Sequence, residues 1–244
     1  MRPFTSHFQG HPGFVHFSDI AAYPFRLGAA LRHRRVFHPD GVIARGTIER
    51  TAPATVGLPV QSGPVTARLS KGAGTPGSLP DFAGLAWRMG SGPSSTTPWD
   101  VLMVSAGSTV LGRITLWPTT SWQRATFSTL MPLGYQGTAW WLRARLTSTT
   151  PGAELTLDAL AAALREGTPL RIEVDQAAGL KQFEPLAMLT LETLVPVGEQ
   201  DNLALDPTRH SAPGVTLLPG WLTTLRRAAY RGSRQGRHDA DVNS

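Results

Sequence analysis

Short runs rich in β-branched and large apolar residues recur along most of this chain, and glycine or proline closes nearly every one. They read GVIARGTIER (41–50), PVTARLS (64–70), AGLAWRM (83–89), DVLMVSA (100–106), TAWWLRARL (138–146), LRIEVDQ (170–176) and LAMLTLETLVPV (186–197). Runs of this length with alternating apolar and polar residues suit a pleated strand that turns one face inward and the other outward. Several of them, spaced by turn signals, predict a mainly β fold of the α+β kind, an antiparallel sheet or barrel with added helices.

Two segments break the rhythm. LTLDALAAALREG (155–167) has Asp158 near its start, apolar residues at helical spacing and Gly167 as a stop, which predicts a helix. WLTTLRRAAYRGSRQGR (221–237) has helical spacing over its first two or three turns, and Gly232 and Gly236 work against its continuation past Tyr230. Residues 24–35 read as helical or turn-rich, 1–23 as an irregular arm, 91–98 as a loop and 238–244 as a disordered tail. No internal repeat or change of composition divides the chain, so residues 1–237 are expected to form one domain that includes the arm.

Composition narrows the chemistry. A chain of 244 residues with 41% apolar residues can build a sizeable core. No window approaches the roughly 18 apolar residues of a membrane span, and the first residues lack a secretory signal's apolar centre, so a cytoplasmic protein is expected. Cysteine is absent, which removes disulfides, iron–sulfur clusters and thiolate ligation, and leaves histidine, tyrosine, methionine or carboxylate for any metal. The net charge is +6, carried almost wholly by arginine, with lysine only at Lys71 and Lys181. Arginine's forked donors suit phosphate or carboxylate, so an anionic partner is expected: nucleic acid, an acidic surface or a carboxylate-bearing cofactor.

Two constellations stand out. In RRVFHPDG (34–41), His38 is either a hydrogen-bonded residue at a strand start or a proton carrier aimed into a cavity. Should the strands holding His38 and Ser70 be neighbours, the serine hydroxyl can hold one ring nitrogen and leave the other for proton transfer. In RRAAYRGSRQGR (226–237), Arg226 and Tyr230 are four apart and share a helix face, with Arg237 returning close to it. A tyrosine needs nearby positive charge or a metal to ionise near neutral pH, since its ordinary pKa is about 10. The alternative is a solvated basic tail.

In ordered patches over roughly residues 32–237, the chain resembles the haem catalases and their small catalase-related branch. RVFHPDGVIARGTIE (35–49) is similar to the family's strand carrying the distal histidine, and VTARLSKGAG (65–74) to the segment with a propionate-binding arginine and the serine behind that histidine. PDFAGLAWR (80–88) and PWD (98–100) resemble the next strand pair, with Asp81 where the family has an acidic residue in its substrate channel. LALDPTRHSAPGV (203–215) and RRAAYRGSRQGR resemble the approach to the proximal helix and the helix itself.

The resemblance implies a catalase-like barrel that binds haem b, with the C-terminal helix supplying the ligand to iron. Tyr230 would be the axial ligand, Arg226 would hydrogen-bond its phenolate, and Arg35, Arg68 and Arg237 would take the propionates. His38 would move the peroxide's proton, with Ser70 behind it, and Phe37 would stand at the haem where the family has a small β-branched residue. A tyrosinate ligand accords with a chain that lacks cysteine. The chain departs from the family at its distal asparagine, whose place falls to Val104 or Ser105, with Ser105 as a partial substitute donor.

Three readings follow. The first is a haem peroxidase or catalase-type oxidoreductase turning over hydrogen peroxide or an organic hydroperoxide, with an organic reductant as a possible second partner, in a monomer or small homo-oligomer. The second is a catalase-like barrel that binds haem or another apolar anion without turnover. The third is a basic nucleic-acid-binding protein that stacks bases near Trp140, Trp141 and Tyr230.

Overall fold

The computed structural model describes residues 41–76, 79–90, 97–109, 112–148, 154–196 and 205–218, all of which belong to one compact unit. The strands are β1 (Gly41–Arg50), β2 (Gly63–Lys71), β3 (Ala83–Met89), β4 (Trp99–Ser105), β5 (Thr126–Ser128), β6 (Leu133–Tyr135), β7 (Thr138–Leu146), β8 (Leu170–Ala178), β9 (Glu184–Leu194) and β10 (Thr216–Leu217). One helix, α1 (Leu157–Arg165), lies between β7 and β8. The helices expected over 24–35 and 221–237 fall outside the described residues. No described helix is long and apolar enough to cross a membrane.

Strand order runs β7-β5-β4-β3-β2-β1-β9-β8, and β8 returns to pair with β7, which closes an eight-stranded antiparallel barrel. The expected fold class is therefore the observed one. Closure removes the open edges that a flat sheet would leave. β6 extends from β7 beyond β5, and β10 pairs with β6 outside the ring.

Alternation sets the inside of the barrel. Val65, Ala67 and Leu69 of β2, Leu85 and Trp87 of β3, and Val101 and Met103 of β4 are buried in one core cluster with Leu142, Ile172 and Leu189 from the far wall. Each fully buried side chain of this size contributes roughly 1.5–3 kcal/mol. The helix packs on β9, β1, β8 and β2 and adds Leu160, Ala161, Ala163 and Leu164 to the same cluster. Its end follows from Gly167 at φ +75, where the Gly167 N–H donates to the Leu164 carbonyl and the Thr168 N–H to the Ala163 carbonyl.

The long runs in the sequence all became strands, with bounds moved by a few residues. β5, β6 and β10 were not expected. They are two or three residues long, and cross-strand pairing with β7 or β6 defines them, so local composition carries no signal for them.

Candidate functional site

On β2 the residues that point away from the core are Thr66, Arg68 and Ser70. Register extends each into a row across the outer face of β1 to β4. Ser70 lies between Gly41 and Gly84, and Gly84 faces Val104. Arg68 lies between Ile43 and Ala86, and Ala86 faces Leu102. Thr66 lies between Arg45 and Arg88, and Arg88 faces Asp100. Moving along the strands, the face passes from small uncharged residues, to a row with a single arginine, to a row of charges.

The first row is shallow because two of its members lack a Cβ. A Cβ at Gly84 would lie 2.6 Å from Ser70 Oγ, and one at Gly41 would lie 2.6 Å from Arg68 Nε. Burial lowers the pKa of Arg68 without threatening its charge, since a guanidinium stays protonated in proteins. Ile43 is 4% exposed yet stands outside the barrel's core cluster, in keeping with its place in the Arg68 row. The arrangement offers a flat, mostly apolar floor, one hydroxyl, and a cation at the margin.

Ser105 is not part of this face. It points into the barrel, 1% exposed, and its Oγ accepts the Ala83 N–H at 3.1 Å. Val104 is the β4 residue in the Ser70 row. The alternation in DVLMVSA carries that assignment, since Val101 and Met103 are core residues and Ser105 continues their parity.

Asp81 likewise turns away from Arg68 and Ser70. Its carboxylate accepts the N–H groups of Ala73 (2.8 Å), Thr75 (2.9 Å) and Phe82 (2.7 Å), and the Thr75 hydroxyl (3.0 Å). Burial alone would raise its pKa, but these hydrogen bonds outweigh burial and hold it below the ordinary carboxylate value. Lys71 Nζ donates to the Thr75 carbonyl at 2.6 Å, so both side chains bind the β2–β3 connection together. His38, Arg35, Phe37, Arg226, Tyr230 and Arg237 lie outside the described residues.

Sequence reading missed an ionic node that closes the charged row. Asp100 is fully buried and takes Arg88 Nε at 2.6 Å and Nη2 at 2.7 Å, a bidentate pair that raises the Arg88 pKa. The Asp206 N–H donates to Asp100 Oδ2 at 2.7 Å, and His210 Nδ1 lies 2.9 Å from that same oxygen. Segment 205–218 is thereby strapped across the outer side of β3 and β4 before it joins β6 as β10. Beneath the strap a cavity of about 60 Å³ is walled by Trp99, Leu102, Met131, Leu133, Pro207 and Leu217. Sites for drug-sized ligands run to roughly 300–1,000 Å³, so this space is too small for a porphyrin.

A second cation cluster lies on the β7 side. Arg113 is 2% exposed, with its guanidinium 5.4 Å from the Trp141 ring centre and 4.7 Å from that of Phe183, while Arg143 sits 4.4 Å from Phe183 and pairs with Asp175 at 2.7 Å. Trp140 packs against the core cluster. Both tryptophans are thus half-buried and make contacts within the protein.

No family model and no curated protein matches the chain. Solved structures do. A bacterial catalase superposes at TM-score 0.57 with 15% identity, over 96% of this chain and 63% of its own. A fungal catalase gives 0.57 with 11% identity, over 92% and 63%, and catalase A from Saccharomyces cerevisiae gives 0.58 with 11% identity, over 92% and 66%. The likeness establishes a catalase-like fold, and the chain spans less than two thirds of the length of these catalases.

Proposed function

We propose that this chain is a haem-dependent enzyme acting on hydrogen peroxide or organic hydroperoxides, with peroxidase-like or weak catalase activity. The observation that carries this reading is the outer face of β2, where Arg68 and Ser70 lean into the spaces that Gly41 and Gly84 leave. A porphyrin is a flat apolar disc with carboxylates at one margin. The Ser70 row has no side chain larger than Val104 across four strands, and Arg68, which leans into that row over Gly41, would give a propionate a charge-assisted partner. The residues present therefore fit the group, and the catalase-like fold supports the same reading.

In this proposal Arg35, Arg68 and Arg237 would hold the propionates, Phe37 would line the haem site, Tyr230 would ligate the iron and Arg226 would keep its phenolate ionised. Haem, when bound, supplies the iron at which a peroxide O–O bond is broken. His38 takes the proton from one peroxide oxygen and delivers it to the other, and Ser70 fixes the ring by holding its second nitrogen. Val104 gives a peroxide no hydrogen bond where an amide donor would strengthen the site. An alkyl group packs against Val104 without stranding a polar atom, which favours organic hydroperoxides. The same apolar contact also fits a barrel that keeps haem without turnover.

The purified protein loaded with haem should show a Soret band and oxidise a chromogenic donor when given cumene hydroperoxide. A Soret band without donor oxidation selects the non-turnover barrel. Tyr230→Phe should lose most of its haem, and an unaltered spectrum in that variant would remove Tyr230 as ligand. His38→Ala should retain haem and react slowly with peroxide.

A further inference from the structure

We propose that Gly84 and Gly41 are positioning residues of this site, Gly84 for the Ser70 hydroxyl and Gly41 for the Arg68 guanidinium. The proposal rests on the haem reading above. Residues directly opposite in antiparallel strands have Cβ atoms about 4.5–5.5 Å apart, so a side chain with glycine across from it gains room to lean over. Ser70 has glycine on both sides. A Cβ at Gly84 would stand 2.6 Å from Ser70 Oγ, but 3.9 Å from Ser70 Cβ and 3.6 Å from Ser70 O. The conflict is with the hydroxyl alone, so the hydroxyl occupies the space over Gly84.

Gly41 serves a different side chain. Its partner across the ladder is Ser70, yet a Cβ there would meet Arg68 Nε at 2.6 Å, the Leu69 carbonyl oxygen at 3.2 Å and Arg68 Cγ at 3.3 Å. Arg68 therefore runs diagonally along the sheet, out of its own row and into the row of Ser70. Arg68 thus leans over Gly41 of β1 while the Ser70 hydroxyl leans over Gly84 of β3, so the two glycines seat the two polar groups on opposite sides of β2.

Neither glycine has the positive φ that would call for glycine on backbone grounds. Glycine inside a strand lowers its stability, by roughly 0.5–1 kcal/mol relative to alanine. The space above the two positions supplies the reason for their lack of a Cβ.

The test is a double-mutant cycle of Gly84→Ala and Ser70→Ala, with urea stability and the rate of reaction of the haem-loaded protein with cumene hydroperoxide as readouts. Gly84→Ala should lower stability and slow the reaction by about tenfold to a hundredfold, as a misplaced group does. Adding Ser70→Ala to Gly84→Ala removes the clashing atom, so stability should return while the rate stays at that of Ser70→Ala alone. Gly41→Ala should speed transfer of haem to an apomyoglobin acceptor as much as Arg68→Ala does. Wild-type rate and stability in Gly84→Ala, recovery of rate in the double variant, or unchanged haem transfer in Gly41→Ala each overturn the corresponding assignment. A wild-type protein that takes up no haem overturns the underlying reading instead, and leaves the Gly84–Ser70 stability coupling as packing only.

Discussion

At the scale of single residues, Arg68 and Ser70 were legible because a strand repeats every two residues, so positions two apart must share a face. The same rule separates Val104 from Ser105, but only register ties Val104 to the Ser70 row, and register is a property of paired strands. Asp81 drew notice only through the resemblance, as an acid in a substrate channel, and its burial and partners were not legible. Its three backbone N–H partners come from a turn whose shape the sequence does not announce. Asp81→Asn should destabilise the protein by about 1–3 kcal/mol at neutral pH, by leaving buried donors poorly matched. Because the folded pKa lies below the unfolded one, the carboxylate's stabilisation is complete above the unfolded value and is lost as pH falls through the folded value. The difference between wild type and variant in urea melts should therefore be largest near pH 7 and shrink in acid. A constant difference would assign the loss to shape alone.

Elements bring in partners that no window of sequence contains. Arg50, the last residue of β1, sends its guanidinium into the following loop, where it donates to the carbonyls of Ala52 (3.0 Å), Pro53 (2.9 Å), Val56 (2.6 Å), Leu58 (2.7 Å) and Val60 (3.0 Å). One side chain thus satisfies five carbonyls of a loop that has few backbone hydrogen bonds of its own. Arg50→Met should cost about 2 kcal/mol and raise amide exchange in this loop ahead of the barrel strands. Exchange that stays unchanged would mean that Gln176, whose Oε1 accepts the Leu58 N–H, suffices to hold the loop. The Arg88–Asp100–His210 node is of the same kind. All three residues stood in segments that drew notice, but His210 is 110 residues from Asp100 and the contact exists only after the strap is laid down.

For the whole molecule, closure is the property that strand content alone does not reveal. The runs of the sequence predict a sheet or a barrel equally well, and the pairing of β7 with β8 decides between them. Leu142 sits at that seam with no exposed surface. Leu142→Ala should cost roughly 2–5 kcal/mol, with the barrel still melting in a single transition. Two separated transitions in calorimetry would show that the seam is not part of one cooperative unit. Identities of 11–15% are enough to keep the fold because cores tolerate exchange of apolar residues when volume and pattern are kept.

The order of strands around the ring also sets a timetable for synthesis. β1 through β4 meet as successive hairpins, so the floor under Ser70 can assemble while the ribosome is still working. The other flank of β1 waits for β9, which ends at Leu194. Until then the nascent chain carries a bare row of amides and carbonyls along its first strand, open to any passing strand. Its exposure to misassembly is therefore greatest midway through translation, when the floor is made and the wall beside it is not.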